Sequence, residues 1–193
     1  MNNNDLFEKA PISKAYFKLA LPVVLSMVIS LVYNMVDTYF VAQTQNTNLV
    51  AGVSLCAPIF TLMIALGDIF GIGGSSVISR LFGQKQDKEG KNVSGFCFYS
   101  AIICGILISI LMLIAKDPIL TLLGTNKATL PYASQYYTYM ALGATLIIVS
   151  LTPSNLMRTE GLATESMLGT ITGSIVNIIL DPIFILYLNM GAG

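Results

Sequence analysis

Residues 17–41 read FKLALPVVLSMVISLVYNMVDTYFV, and from Leu19 to Val36 they carry no charge. The apolar residues come in unbroken blocks, without the alternation of a half-buried strand, so the stretch reads as a helix. At 1.5 Å per residue it rises about 37 Å, more than the roughly 30 Å hydrocarbon core of a bilayer. In lipid every backbone N–H must find a carbonyl inside the protein, which a helix achieves alone. A polar segment of mixed charge, Met1 to Lys18, precedes the apolar core. A secretory signal would have a shorter core followed by a small-residue cleavage site, so the span is expected to be retained.

The pattern recurs. Between Lys18 and Lys85 the charges are Asp37, Asp68 and Arg80; there are none from Asn92 to Ala115 or from Ala128 to Met157, and from Ser166 onward there is Asp181 alone. These gaps give five expected helical spans, at about 17–41, 52–78, 93–115, 132–152 and 168–190. Of the 193 residues 54% are apolar and 10% charged, against about 25% charged in a soluble domain. So few charges cannot clothe a water-facing surface, and the fold class is an all-α, multi-pass membrane protein surrounded by lipid bilayer. The chain has no His, so it cannot supply a Ser-His-Asp triad, a Cys-His pair or a His-ligated metal. Its zero net charge and scattered basic residues exclude a nucleic-acid face. Cys56, Cys97 and Cys104 form no CxxC pair and sit in apolar runs, where they read as small buried hydrophobes.

Lys and Arg set the orientation. Lys9, Lys14 and Lys18 precede the first span, Arg80, Lys85, Lys88 and Lys91 follow the second, and Arg158 follows the fourth; the intervening loops hold only Lys116 and Lys127. Positive loops stay cytoplasmic, so the N-terminus is expected inside and the fifth span to lead outward. Tyr16, Phe17, Tyr39, Phe40, Phe96, Phe98, Tyr99, Tyr132, Tyr136, Tyr137 and Tyr139 lie near the expected ends, as in an interfacial aromatic belt. Gly67-Gly71 and Gly169-Gly173 are GxxxG pairs, and Gly73 and Gly74 add small residues to the second span; such positions let helices approach closely. Pro22, Pro58, Pro153 and Pro182 fall in or beside spans and permit bends. Five spans ending at Asn189-Met190-Gly191-Ala192-Gly193 give the expectation of a chain truncated before a sixth span.

Asp37, Asp68 and Asp181 are the informative residues. A carboxylate near the centre of a membrane helix costs roughly 2.5–3.5 kcal/mol on insertion scales, and such residues face cavities, pair with polar groups or mark ion paths. Asn34 and Asp37 are three apart, Asn177 and Asp181 four apart, so each pair shares a helix face. Both acids are expected in the outer half of the membrane. Pro182 cannot bond to the carbonyl of Ile178, leaving an acceptor beside Asp181. Two carboxylates, two amides and a freed carbonyl make an oxygen-rich site suited to a hard cation such as Na+, held at Asp37, Asn177 and Asp181, and equally to a proton. Asp68 has no companion pattern and reads first as satisfying a local amide or hydroxyl.

Several stretches carry a resemblance: Phe7-Glu8-Lys9-Ala10-Pro11, Leu19-Ala20-Leu21-Pro22, Val36-Asp37-Thr38-Tyr39-Phe40-Val41, Gly71-Ile72-Gly73-Gly74 with Ile78-Ser79-Arg80-Leu81-Phe82-Gly83, Arg158-Thr159-Glu160-Gly161, and Asn177 to Ile185. In order and spacing the chain resembles the N-terminal part of a multidrug and toxic compound extrusion (MATE) transporter, of the MepA-like branch. The resemblance runs from about residue 7 to the end. It implies twelve helices in two six-helix lobes, five of the first lobe's six being present here. It implies alternating access that exports lipophilic, mostly cationic drugs across the bacterial cytoplasmic membrane in exchange for H+ or Na+, with no other cofactor, and a C-terminal lobe as partner. By the same resemblance Asp37 and Asp181 are the cation-coupling carboxylates, Asn177 is a polar partner, Tyr136 matches a tyrosine on the fourth helix, and a polar residue of the sixth helix is missing. Pro22 and Pro182 are the expected helix bends. Gln43 and Leu162 depart from the family pattern, both at span ends.

Three other readings compete. A lipid-linked sugar flippase of the same superfamily would need cationic residues to hold pyrophosphate, whereas the expected membrane interior holds acids. An intramembrane aspartyl protease needs two acids sharing a proton; Ala65-Leu66-Gly67-Asp68 approaches a GxGD pattern, but Ala65 replaces the first Gly and no Tyr-Asp pair exists. A non-catalytic membrane subunit would use the acids only in assembly.

Overall fold

The computed structural model describes residues 11–43 and 46–182. Six helices form there: α1 (Ile12–Gln43), α2 (Thr47–Gly83), α3 (Asp87–Ile114), α4 (Lys116–Leu122), α5 (Leu130–Thr159) and α6 (Ala163–Pro182). All but α4 are long and apolar enough to cross a membrane. Four of the expected spans are thus helices, as is the fifth through residue 182, and most run beyond their apolar limits. The extra turns are polar and suit helix ends: Asp87 and Glu89 lie in the first turn of α3, where the dipole favours negative charge. The part of the fifth expected span beyond residue 182 lies outside the described residues. The loop that holds Lys116 and Lys127 contains α4, too short to show a hydropathy period.

The turns explain how the helices reverse. After α2, Gln86 N–H donates to the Leu81 carbonyl at 2.9 Å and Lys85 N–H to Phe82 at 3.0 Å, with Lys85 in the left-handed region at φ 60°. After α5, Gly161 takes φ 81°, and Leu162 N–H reaches the Met157 carbonyl at 2.9 Å. Both are the paired terminal bonds that satisfy a helix's last carbonyls. At the start of α2, the Asn46 side chain accepts from Leu49 N–H at 3.2 Å and donates to the Tyr132 hydroxyl at 2.9 Å, tying α2 to α5.

The helices fall into two groups. α2, α3 and α5 pack on one another, while α1 packs chiefly on α6 and touches α2 little. The first group is joined by close backbone approach. A Cβ on Gly52 would lie 2.9 Å from Ala133 N, one on Gly67 2.9 Å from the Ile148 carbonyl, and one on Gly105 2.9 Å from Thr145 Cα. Cys56, Met63, Ala101, Ala141, Ala144 and Ile148 fill the space between. Without water to drive association, close packing of small residues holds membrane helices together. Of the two GxxxG pairs, Gly67-Gly71 is used in this way. Gly169 and Gly173 are exposed and meet nothing among the described residues, so the second pair does not pack the described helices, because α6 turns another face to α1 and α5.

Two further expectations change. Tyr137 is not a belt residue: it is fully buried and its hydroxyl donates to the Met112 carbonyl at 3.1 Å, because its helix face is the one α5 turns to α3. Cys56 and Cys97 are buried as expected, but Cys104 is only half-buried. The outer surface is apolar: Leu31, Met35, Ile103, Leu107 and Leu146 are each more than half exposed. A surface of that kind belongs against lipid or another lobe rather than water.

Candidate functional site

With the side rich in Lys and Arg taken as cytoplasmic, Asp37 lies six residues before the outer end of α1, and Tyr136 six residues after the outer start of α5. Both are about 9 Å from those ends at 1.5 Å per residue. Each is half-buried. Asp37 and Tyr136 thus lie at a similar depth, one on each helix group. Asn34, one turn inward on α1, is exposed, and its backbone carbonyl accepts from the Thr38 hydroxyl at 2.8 Å.

α6 carries the other candidates. Asn177 is exposed. The backbone of Asp181 and Pro182 is helical, but their side chains lie outside those described, so the expected joining of Asp37, Asn177 and Asp181 around one cation remains a proposal. The helical register keeps Asn177 and Asp181 on one face, and α6 packs on α1, the helix bearing Asp37. Pro22 is buried inside α1, which continues through it. Nearby, Ser26 is buried and its hydroxyl donates to the Val23 carbonyl at 2.7 Å.

The polar contacts of the cytoplasmic half centre on α5. The Asn155 amide donates to Asp68 Oδ1 at 3.3 Å and to the Leu151 carbonyl at 3.1 Å. One helix turn away, Ser166 at the start of α6 is 4% exposed; its hydroxyl lies 2.9 Å from that of Ser154, donates to the Ser154 carbonyl at 3.1 Å and accepts from Arg158 Nε at 3.2 Å. α5 is therefore bound to α2 through Asn155 and to α6 through Ser154 and Arg158. The sequence reading missed Asn155, which stands inside a charge-free run; an amide in an otherwise apolar helix was the available signal.

Among the described residues no group of three or more His, Cys, Asp or Glu could hold a metal ion. Asp68 has an amide beside it and no second carboxylate among its partners, so it does not form the proton-sharing dyad an aspartyl protease needs.

The MatE family profile matches residues 22–183, most of the chain. The chain belongs to the MatE family. It is 34% identical over 179 residues to the multidrug export protein MepA of Staphylococcus aureus strain NCTC 8325, covering 93% of this chain and 40% of that one. It is similar over its whole length, with 31% identity and a TM-score of 0.93, to the outward-facing structure of a multidrug resistance MATE transporter of the MOP superfamily, covering 42% of it. A MOP superfamily transporter from Pyrococcus furiosus, described as having a binding pocket of reversed polarity, matches with the same identity and score. The chain spans about 40% of the length of the curated relatives it matches. The described residues of this MatE chain are all-α, with five helices long and apolar enough to cross a membrane, and the relatives it matches are multidrug transporters.

Proposed function

We propose that the chain supplies five helices of the first lobe of a secondary antiporter that exports lipophilic, mostly cationic drugs across the cytoplasmic membrane in exchange for H+ or Na+. The observation that carries this reading is a half-buried carboxylate, Asp37, on α1, which packs on α6 apart from the group α2, α3 and α5. A carboxylate so placed couples charge to geometry. Bound cation neutralises it and removes its preference for a polar, hydrated gap; release restores that preference. On this reading a cation entering from outside reaches Asp37 and Asp181, shifts α1 against α5 and lowers affinity for cationic cargo. Asn177 and Asn34 supply neutral oxygens, and Tyr136 hydrogen-bonds the carboxylate as the gap narrows. The remaining wall of the cavity comes from the rest of the transporter.

The acids of the membrane interior favour cationic over polyanionic cargo. Two of them, Asp37 and Asp68, are described and half-buried, whereas Arg80, Lys85 and Lys116 lie within a few residues of helix ends. A lipid-linked pyrophosphate would need several cations where these acids stand.

The test is dye efflux from proteoliposomes holding the full-length protein, under a proton gradient, a sodium gradient or neither. Wild type should show efflux with one gradient, and Asp37→Asn and Asp181→Asn should each abolish the gradient dependence. Coupled efflux retained in the double variant would refute the assignment. Absence of efflux under every gradient would move the reading to a flippase.

A further inference from the structure

Asp68 has no part in the antiport site just described. It lies on α2, 21 residues from the helix's outer end and 15 from its inner end, or about 22 Å from the cytoplasmic end. Asp37 is about 9 Å from the outer end of α1. The two acids are therefore at different depths and on different helix groups.

The surroundings of Asp68 are built. Its hydrogen-bond partner among the described residues is the Asn155 amide at 3.3 Å, and no ion pair neutralises it there. Asn155 is itself fixed, because the amide is also anchored on the Leu151 carbonyl at 3.1 Å. The space it occupies is left by Gly71, where a Cβ would stand 2.6 Å from Asn155 Nδ2. Arg158, three residues further on α5, is committed to Ser166 on α6. One oxygen of Asp68 is thus held while the other has no partner among the described residues, and the side chain is half-buried. One turn either side on the same face of α2 stand Ile64 and Ile72, the latter 59% exposed.

We infer that Asp68, positioned by Asn155, binds the positive charge of a lipophilic organic cation on the cytoplasmic half of the transport path. A single carboxylate with one amide beside it offers too few oxygens for a metal ion that wants six or more. A large delocalised cation needs one counter-charge and an apolar surface beside it, which Asp68 offers with Ile64 and Ile72 on the same face of α2. The inference deepens the drug-export reading and rests on it for the class of cargo.

The probe is tetraphenylphosphonium, with a neutral lipophilic dye of similar size as control, binding to the full-length protein in detergent. Asp68→Asn keeps an acceptor for the Asn155 amide and removes only the charge. It should weaken tetraphenylphosphonium binding at least ten-fold and change neutral-dye binding less than two-fold, while Asp68→Glu restores most of the loss. Unchanged cation binding in Asp68→Asn overturns the inference, as does an equal loss for both probes, the mark of a merely structural contact. Should Asp68→Asn fail to fold, the wild-type protein answers: carbodiimide labelling of Asp68, read by peptide mass spectrometry, should fall when tetraphenylphosphonium is present. No labelling, or labelling that only Na+ or protons suppress, overturns it. Gradient-driven efflux of the same protein separates the two readings: a cation bound at Asp68 without coupled efflux refutes the antiport and leaves this site, and coupled efflux with an indifferent Asp68 does the reverse.

Discussion

Replacing Gly67 with Ala tests whether α2 and α5 are locked by backbone contact. The added Cβ would stand 2.9 Å from the Ile148 carbonyl oxygen, 2.8 Å from Leu151 Cδ1 and 3.3 Å from Leu151 Cβ, where ordinary contact begins at 3.4 Å. Leu151 Cδ1 can rotate away, but the carbonyl cannot, so the helices must part by about half an ångström there. Overpacking of this kind costs roughly 1–3 kcal/mol, against a gain of up to about 1 kcal/mol from the better helix propensity of Ala. The net loss is about 1–2 kcal/mol, or roughly a 5- to 30-fold fall in the folded fraction ratio. Gly73→Ala is the control, because a Cβ there meets nothing within 4 Å and only the propensity term acts. Equilibrium unfolding of the full-length protein in mixed detergent should separate the two variants in that order. Equal stability of Gly67→Ala and Gly73→Ala would refute the claim that the α2–α5 seam is set by backbone approach.

Three substitutions test smaller features by the same unfolding assay. Tyr137→Phe removes the buried bond to the Met112 carbonyl and should cost about 1–3 kcal/mol, since the carbonyl is left without that donor. The Thr152 hydroxyl is fully buried with no partner among the described residues, so Thr152→Val should be neutral or stabilise by about 1 kcal/mol; a clear loss would mean that the hydroxyl has a partner in the full-length protein. Lys85 holds a left-handed φ of 60°, a conformation costing a side-chain-bearing residue roughly 1–2 kcal/mol, and Lys85→Gly should recover about 0.5–1 kcal/mol of it after the entropic penalty of glycine.

The spans were legible because lipid leaves helices little choice: long charge-free runs mark them, and five runs correspond to five long helices. Their ends were not legible, since polar residues continue a helix into the headgroup layer without a hydropathy signal. The misreading of Tyr137 has a related cause. Distance from a span end shows depth and not direction, whereas the recurrence of Ala133, Tyr137, Ala141, Ala144 and Ile148 on one face of α5 shows direction. The grouping of Asp37 with Tyr136 as site candidates rests on the family resemblance, because nothing local links residues 99 apart in the sequence. The Asp68–Asn155 bond, across 87 residues, was out of reach for the same reason.

The division of the helices assigns a mechanical role to each group. α2, α3 and α5 meet through glycines at backbone distance, a seam that cannot slide without clashes. α6 is joined to α5 by a polar clamp at its cytoplasmic end, Ser154, Arg158 and Ser166, while Asp37 lies near the outer end of α1. A charge change at Asp37 therefore acts far from the clamp, and motion of α1 with α6 should open the outer end and leave the inner end in place. Spin labels on the full-length protein, with Cys56, Cys97 and Cys104 replaced, measure this directly. One pair sits on Thr38 and Leu130 at the outer ends of α1 and α5, the other on Glu165 of α6 and Arg80 of α2 near the inner ends, all exposed positions. The outer distance should change when the coupling cation is added or Asp37 becomes Asn, and the inner distance should hold. Equal changes in both pairs, or none in either, would remove the lever from the mechanism even if Asp37 proves essential for efflux.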